Sequence, residues 1–394
     1  MIPTDEAGIV AAIQHAAGPL AIQGHGSKLA MLRPVQAAAT LSTAGLTGVT
    51  LYSPNELVIS ARAGTTIAEL RTVVAKNGQH LIAEPPELGA LLGSDQPGTI
   101  GGAVATNLSG PRRVAWGAMR DHVMGLRAVN GRGEILRAGG RVLKNVTGLD
   151  VCKLLSGSHG TLAVITEVTL KVLPAPERRA TLVLKGQHPA EAVAALSAAL
   201  GSPYAVSGAA WLPGNLAALV PSLGGLGGNV TLARLEDFAP SVAYRSERLR
   251  AELAEFGAVE MLDDAASAAL WTDIGNVSPL VHAPGAIWKI SVRPSQGAGI
   301  VDAMQAIGAT CMLDWGGGLV WVSGPATAAA HHAVEAATSA AGGVWTVMRA
   351  PDPWRSAVAV IPPGPPAMAA IGARVKAAFD PRGILNPGRM VAGA

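Results

Sequence analysis

Residues 96–107 of the chain read QPGTIGGAVATN. Three glycines, two threonines and a closing asparagine stand together without a charged residue. Glycine has no Cβ, so such a backbone can approach a ligand closely, and the hydroxyl and amide groups add hydrogen-bond donors. We therefore predict a loop here that suits a diphosphate or a flat heterocycle better than a hydrophobic core.

A second glycine-rich segment, GHGSK at residues 24–28, directly follows a predicted strand at 20–23. Backbone N–H groups of such a turn can converge on one anion, and Lys28 adds a positive charge. The segment fits neither G-x-G-x-x-G nor the Walker pattern, so a nicotinamide site and a P-loop lack support. By itself the segment is more typical of a plain structural turn than of an anion site.

Two further segments complete the set. Residues 144–150 read KNVTGLD and are followed by GSHGTLAVIT at 157–166, and residues 379–390 read FDPRGILNPGRM. In this order and spacing, the four segments resemble the FAD-binding domain of the vanillyl-alcohol oxidase and p-cresol methylhydroxylase family. The resemblance covers the whole chain.

The resemblance implies that FAD is the cofactor and that the first two segments hold its diphosphate and ring system. It places the 157–166 segment near the adenine half, and it returns the closing N-P-G-R to the flavin domain. The cofactor contacts that it implies are Gly24, His25, Gly26, Ser27, Lys28, Pro97, Gly98, Thr99, Gly101, Gly102, Asn107 and Ile165. Because His25 stands between two glycines and not after them, we do not expect a covalent link to FAD.

Four phrases resemble the E-subunit family of bacterial glycolate oxidases more narrowly. They are EPP at 84–86, SGPRR at 109–113, VNGRGE at 129–134 and GGRVLKN at 139–145. This resemblance implies a heteromeric enzyme with a related FAD-binding catalytic subunit and an iron–sulfur subunit. It would oxidise glycolate, a small 2-hydroxy acid, to glyoxylate and pass electrons towards quinone.

The chain departs from hydroxy-acid-oxidising relatives in two respects. It has no histidine-rich H-x-G-D-G-N-x-H motif, so we predict no metal site, and Leu143 stands where those relatives carry an arginine. Lys144 and Thr147 fit the family pattern and, with Arg389, are candidates for catalysis. Arg389 would stabilise negative charge on the reduced flavin. We therefore expect this chain to hold a flavin beside a catalytic sister subunit.

Two alternatives stay open. One is a self-sufficient FAD-dependent dehydrogenase that acts on a 2-hydroxy acid or another alcohol. The other is a non-catalytic assembly subunit with a structural or vestigial flavin. The intact glycine segments argue against the second alternative, whereas the missing metal motif and Leu143 argue for it.

Composition excludes several other classes of protein. The 394 residues carry a net charge of +3, 14% are charged and 49% apolar, which is typical of a globular chain of about two domains. Two distant cysteines, Cys152 and Cys311, exclude a disulfide framework and an iron–sulfur cluster held by this chain, and Cys152 is expected to be a buried apolar residue. Aromatic residues are 4% and no basic stripe occurs, so we do not expect nucleic-acid binding.

Neither export nor a membrane span is expected. Asp5 and Glu6 stand where a secretory signal carries basic residues. The longest uncharged run, 192–233, is interrupted by Pro203, Pro213 and Pro221. We expect a cytoplasmic protein, with attachment to the inner face of the membrane only through its partners.

The predicted fold class is α+β, with a two-part FAD-binding domain at 1–175 and a ferredoxin-like cap at 176–378. Residues 379–394 are expected to return to the first domain. In the first domain we predict helices at 5–17, opened by Thr4, and after the capping box Thr66-x-x-Glu69, with strands at 123–129, 134–137 and 162–172. In the cap we predict strands at 181–184, 208–212, 287–292, 318–323 and 344–348, and helices at 189–200, 241–256, 298–307 and 325–341.

Overall fold

The computed structural model describes residues 1–140 and 149–393, so Leu143, Lys144 and Thr147 lie outside the described residues. The chain divides into two compact units. The first unit comprises Met1–Ser109, Gly117–Pro174 and Pro363–Ala394, and the second comprises Gly110–Trp116 and Ala175–Pro362. The three-part domain division stays a prediction. The units differ from it because residues 110–116 group with the second unit and 363–378 with the first.

The described strands are β1 Leu20–Gln23, β2 Ala39–Ser42, β3 Val49–Ser53, β4 Val58–Arg62, β5 Gln79–Leu81, β6 Val123–Asn130, β7 Ile135–Gly139, β8 Ala163–Pro174, β9 Arg178–Lys185, β10 Gly208–Leu212, β11 Val230–Asp237, β12 Val259–Leu262, β13 Ala286–Ser291, β14 Thr310–Asp314, β15 Leu319–Gly324 and β16 Val344–Arg349. The described α-helices are α1 Glu6–Gln14, α2 Ile67–Ala75, α3 Ile100–Thr106, α4 Arg113–Trp116, α5 Val151–Leu155, α6 Pro189–Gly201, α7 Gly214–Ala217, α8 Ala239–Leu253, α9 Asp264–Gly275, α10 Gly297–Gln305, α11 Ala328–Ala340, α12 Asp352–Ala357 and α13 Pro366–Phe379.

The first unit contains two sheets. The larger has the strand order β3-β4-β8-β6-β7, with β5 also paired to β8. The smaller pairs β1 in parallel with β2, and Leu20 of β1 also forms a parallel bridge with Leu385 near the end of the chain. Strand β1, whose carboxyl end leads into the glycine segment at 24–28, is therefore paired with β2 along its length and bridged to Leu385 at its amino end.

Helix α1 corrects the predicted N-terminal cap. The helix begins at Glu6, and Asp5 is its N-cap, with Oδ1 accepting a hydrogen bond from the Gly8 N–H at 2.7 Å. Aspartate is a stronger cap than threonine, so it outcompetes Thr4 for the same role. Helix α2 begins as predicted, since Thr66 Oγ1 accepts a hydrogen bond from the Glu69 N–H.

The predicted loop at 96–107 is wrong in part, because residues 100–106 form helix α3. Thr99 caps this helix by accepting a hydrogen bond from the Gly102 N–H at 3.1 Å, and Asn107 ends it with a left-handed φ of 49°. Ile100 and Val104 are fully buried in the core of the first unit. Packing of these apolar residues offsets the low helix propensity of the glycines.

The second unit contains an eight-stranded antiparallel sheet with the order β12-β9-β11-β10-β14-β15-β13-β16. Each half follows the sequence strand–helix–strand–strand–helix–strand, and the two halves join where Trp211 of β10 pairs with Leu313 of β14. The predicted ferredoxin-like fold class is thereby confirmed, with two such halves.

The described helices include none with the length and apolar character that a membrane crossing needs.

Candidate functional site

The turn after β1 packs against the start of α3 in the first unit. A Cβ placed on Gly24 would lie 2.6 Å from Thr99 Oγ1, so only glycine permits this approach. Gly26 has a φ of +87°, which also favours glycine. A Cβ placed on Gly102 would lie 3.8 Å from Lys28 Nζ. The structure thus brings the glycine segments at 24–28 and 96–107 together, although 67 residues lie between them in sequence.

Lys28 places a positive charge at the start of α3. Burial lowers the pKa of Lys28. The charge of Glu87 raises this pKa, but by less than burial lowers it. Its Nζ lies 3.4 Å from Ser27 Oγ, and it forms no ion pair within residues 1–140 and 149–393. The first N–H groups of a helix carry partial positive charge as well. A partly buried cation beside these groups suits an anionic ligand such as a diphosphate.

His25 leaves a buried polar atom without a partner. In the part of the chain that the structure describes, its Nδ1 atom is buried and has no hydrogen-bond partner. Buried polar atoms in folded proteins are nearly always hydrogen-bonded, so this one points to a ligand at the same turn. The residues at 24–28 and 99–102 therefore fit the diphosphate of FAD.

Two other glycines of the predicted site serve packing. A Cβ on Gly98 would lie 2.6 Å from Glu87 Oε2, which accepts a hydrogen bond from the Gly98 N–H at 3.0 Å. A Cβ on Gly101 would lie 2.6 Å from the Cβ of Ala63 and 2.9 Å from its carbonyl oxygen. Pro97, by contrast, is exposed. Gly101 thus sets how closely α3 approaches the end of β4.

The remaining segments converge on the end of α3. The His159 N–H donates to the Ala105 carbonyl at 2.8 Å, and Asn386 Nδ2 donates to the His159 carbonyl at 2.8 Å. Asn386 Oδ1 also accepts a hydrogen bond from the Ile22 N–H at 2.7 Å. Asn107 Oδ1 accepts a hydrogen bond from the Arg120 N–H. Asn386 therefore ties the last segment to both β1 and the 157–160 turn.

Glu87 and Asn386 were not predicted as site residues. Asn386 stands inside the N-P-G-R phrase, whose asparagine could have been singled out as a backbone-bonding side chain. Glu87 had no such signal, because its role depends on a contact with Gly98 that only the folded chain creates.

Arg389 is hydrogen-bonded to backbone carbonyls near Lys28, and its predicted role towards the flavin stays a prediction. Its Nη1 donates to the carbonyls of Leu29 and Arg33, and its Nη2 donates to the carbonyl of Lys28 at 2.9 Å. These hydrogen bonds account for the burial of its guanidinium, and they hold the stretch that follows Lys28. Arg389 therefore positions the turn.

Ile165 and Cys152 are core residues. Both belong to the hydrophobic core of the first unit. Burial raises the pKa of the Cys152 thiol to about 11, which keeps it protonated and unreactive at neutral pH. No group of three His, Cys, Asp or Glu side chains in the described ranges is placed to hold a metal ion.

Comparison with known proteins gives one sequence family and several relatives. A family model described as an FAD binding domain matches residues 1–139. Glycolate oxidase subunit GlcE of Escherichia coli (strain K12) is 33% identical over 376 residues, which cover 95% of this chain and 93% of that protein. D-lactate dehydrogenase of Archaeoglobus fulgidus is 36% identical over 141 residues, 36% of this chain and 30% of that protein. Glycolate oxidase subunit GlcD of Bacillus subtilis (strain 168) is 44% identical over 85 residues, 22% and 18% of the two chains.

Solved structures share the fold at low sequence identity. The 4-ethylphenol oxidase from Gulosibacter chungangensis has a TM-score of 0.71 and 14% identity, covering 100% of this chain and 88% of that one. An alkyldihydroxyacetonephosphate synthase has a TM-score of 0.69 and 17% identity, covering 98% and 75% of the two chains. At this identity the similarity establishes the fold alone.

Proposed function

The chain belongs to the family of FAD-linked oxidoreductases that includes glycolate oxidase subunit GlcE, and from this premise we propose that it is the FAD-binding subunit of a heteromeric glycolate oxidase. The predicted family and the predicted FAD cofactor are confirmed. The relatives named as glycolate oxidase subunits and D-lactate dehydrogenases support FAD-dependent oxidation of a hydroxy acid.

The observation that carries the proposal is the near full-length match to a protein named as a glycolate oxidase subunit. The geometry of the first unit supports the proposal independently. A partly buried lysine, a histidine nitrogen without a partner among the described residues and a glycine at the start of a helix lie together where an anionic cofactor group would need them.

When bound, FAD would accept a hydride from the carbon that carries the hydroxyl group of the substrate. Lys28 and the N–H groups at the start of α3 would hold the diphosphate, and Arg389 would fix the backbone carbonyls from Lys28 to Arg33. Gly24 and Gly102 would keep the approach free of side chains. Catalytic roles for Lys144 and Thr147 remain predictions.

The partners belong to the same proposal. The chain has two cysteines, too few for a cluster with four cysteine ligands, and the two described thiols are buried and unpaired. Electrons that leave the flavin by single steps towards quinone would therefore pass through an iron–sulfur subunit. We place the complex at the cytoplasmic face of the membrane, to which its partners would attach it.

Anaerobic reduction tests the proposal. The chain is purified alone and also with the proteins that co-purify with it, and glycolate or D-lactate is added while the visible flavin absorption is followed. We expect the complex to bleach with glycolate and to reduce a quinone analogue. A complex that bleaches with neither hydroxy acid would overturn the proposal.

The chain alone distinguishes the alternatives. Full turnover of a hydroxy acid by the isolated chain would establish a self-sufficient dehydrogenase in place of a heteromeric enzyme. A flavin-free chain that still joins and activates its partners would establish an assembly subunit.

A further inference from the structure

Lys289 lies on β13, in the second half of the eight-stranded sheet. It pairs across the sheet with Trp321 of β15 and Thr346 of β16, so its side chain shares one face with theirs. The neighbouring residue Trp288 points to the opposite face, where its ring stacks on His331 of α11. Lys289 therefore projects from the face opposite to α11.

Trp315 presents an aromatic ring to this lysine. The Lys289 Nζ lies 5.4 Å from the centroid of the Trp315 ring, and the Arg113 guanidinium carbon lies 4.5 Å from it. Both distances fall within the range of cation–π attraction. Two positive side chains of the second unit thus share one ring.

The turn that carries Trp315 is held in an unusual conformation. Trp315 has a φ of 53°, a left-handed value that costs free energy for a bulky residue. Its N–H donates to Asp314 Oδ1 at 2.7 Å, and its indole Nε1 donates to the Gly110 carbonyl at 3.1 Å. These contacts fix the ring against α4, the helix that carries Arg113.

Two buried arginines of the second unit, Arg112 and Arg234, share a carboxylate counter-ion. Arg112 donates two hydrogen bonds to the carboxylate of Glu236, at 2.7 and 2.6 Å, and Arg234 lies 3.5 Å from the same carboxylate. Lys289 differs, because its ammonium has neither a hydrogen bond nor an ion pair in the described sequence. Burial, with added repulsion from Arg113, lowers the pKa of Lys289 to about 8.

A partly buried cation without a counter-ion destabilises a fold, and such sites persist where a ligand supplies the missing charge. We propose that Lys289 and Arg113, arranged on Trp315, bind the carboxylate of the hydroxy-acid substrate. The assignment of the carboxylate to the substrate rests on the proposed function. It makes this chain, and not only a partner, a substrate-binding subunit.

Calorimetric titration of the FAD-loaded chain tests the assignment. Oxalate is the probe, because it carries the carboxylate but has no C–H hydrogen to transfer. We expect Lys289→Met to weaken oxalate binding at least about tenfold, and Lys289→Arg to keep it within about threefold. The matched control is Lys185→Met, which removes a lysine of the same sheet that pairs with Glu260 at 2.6 Å. It should leave oxalate binding unchanged.

Thermal unfolding provides a second measurement. If Lys289 only stabilised the fold, its replacement would lower the unfolding midpoint, whereas the proposal predicts a rise. Because Lys289→Met removes an uncompensated charge, we expect a higher unfolding midpoint together with weaker binding. A lower midpoint with unchanged oxalate affinity would overturn the proposal. Inorganic phosphate that binds as tightly as oxalate would also overturn it, since the site would then accept any anion.

The outcomes separate this proposal from the proposed function. A complex that oxidises glycolate with an unchanged KM when it contains Lys289→Met would refute the carboxylate site and leave the glycolate oxidase assignment intact. Conversely, oxalate binding that depends on Lys289, in a complex that oxidises no hydroxy acid, would refute the oxidase assignment and leave a carboxylate site whose ligand is not a hydroxy-acid substrate.

Discussion

At the scale of single residues, Lys28 carries the argument for an anionic cofactor. It is partly buried beside the start of α3, and its ammonium is 3.8 Å from the position of a Cβ on Gly102. An ammonium held there without a carboxylate partner is costly unless a ligand neutralises it.

Replacing this lysine separates cofactor binding from folding. We expect Lys28→Met to weaken FAD retention at least about tenfold, because a charge-assisted contact to the diphosphate is lost. The FAD-free protein should be no less stable than the FAD-free wild type. FAD released per chain, measured after dialysis, reports the effect, and the exposed Lys76→Met serves as control. Equal flavin content in Lys28→Met and Lys76→Met would remove Lys28 from the site.

The pKa of Glu236 lets us predict how the stability of the second unit changes as the pH falls. Burial raises the pKa of this carboxyl, but the charges of Arg234 and Arg112 and hydrogen bonds from Arg112 and Ser207 outweigh burial and hold its pKa far below the usual range. A carboxyl with a depressed pKa contributes stability above its unfolded pKa of about 4.3, and that contribution is lost as the pH falls towards the folded value.

We therefore expect Glu236→Gln to lower the free energy of unfolding at pH 7 by about 3–5 kcal/mol, because two arginines lose their counter-ion. The variant should also show a shallower loss of stability below about pH 5 than the wild type does. Denaturant unfolding at a series of pH values measures both effects. The exposed Glu255→Gln is the control, and parallel pH profiles for Glu236→Gln and wild type would contradict the account.

At the scale of elements, α3 shows where sequence reasoning reached its limit. Its glycines single the segment out as a candidate site, but its helical state was missed because glycine disfavours a helix locally. The missing information was tertiary: Ala63 approaches so closely that a Cβ on Gly101 would lie 2.6 Å from it. A glycine can be needed for a close packing contact or for backbone flexibility. Only the folded structure shows which of the two applies.

Substitution of Gly101 and of its neighbour Gly102 tests whether Gly101 is needed for close packing. Gly101→Ala should lower the free energy of unfolding by about 1–3 kcal/mol, because its methyl group conflicts with the backbone of Ala63. Gly102→Ala should cost much less, since the nearest atom, Thr99 Oγ1 at 3.1 Å, belongs to a side chain. Denaturant titration of both variants measures the difference. Equal losses of stability would show that Gly101 has no special packing role.

Two strands of the cap show the same limit of prediction from a local sequence pattern. Strand β10 was predicted with its observed bounds, because an apolar run ended by a proline is a clear local pattern. Strand β11 was missed, since Arg234 and Glu236 interrupt its apolar run and are typical of an exposed segment. In the fold these charges neutralise one another inside the sheet. Charge pairing between distant residues cannot be seen in a local pattern.

At the scale of the whole molecule, the ends of the chain complete the cofactor unit. Leu385 bridges to Leu20, Asn386 bonds the end of β1, and Arg389 bonds the turn after it. The order of the glycine segments and the closing phrase was sufficient to predict the family. The site itself needed the fold, because its elements lie more than 300 residues apart in sequence.

The measurement that tests the central claim most directly is the visible absorption spectrum of the purified chain and of its Gly102→Val variant. The claim is that the turn at 24–28 and the start of α3 hold FAD. We expect the wild type, and the control Gly299→Val in the exposed part of α10, to carry flavin. Gly102→Val should be folded, with an unfolding midpoint close to that of the FAD-free wild type, and colourless. A folded Gly102→Val variant with full flavin content would contradict the account.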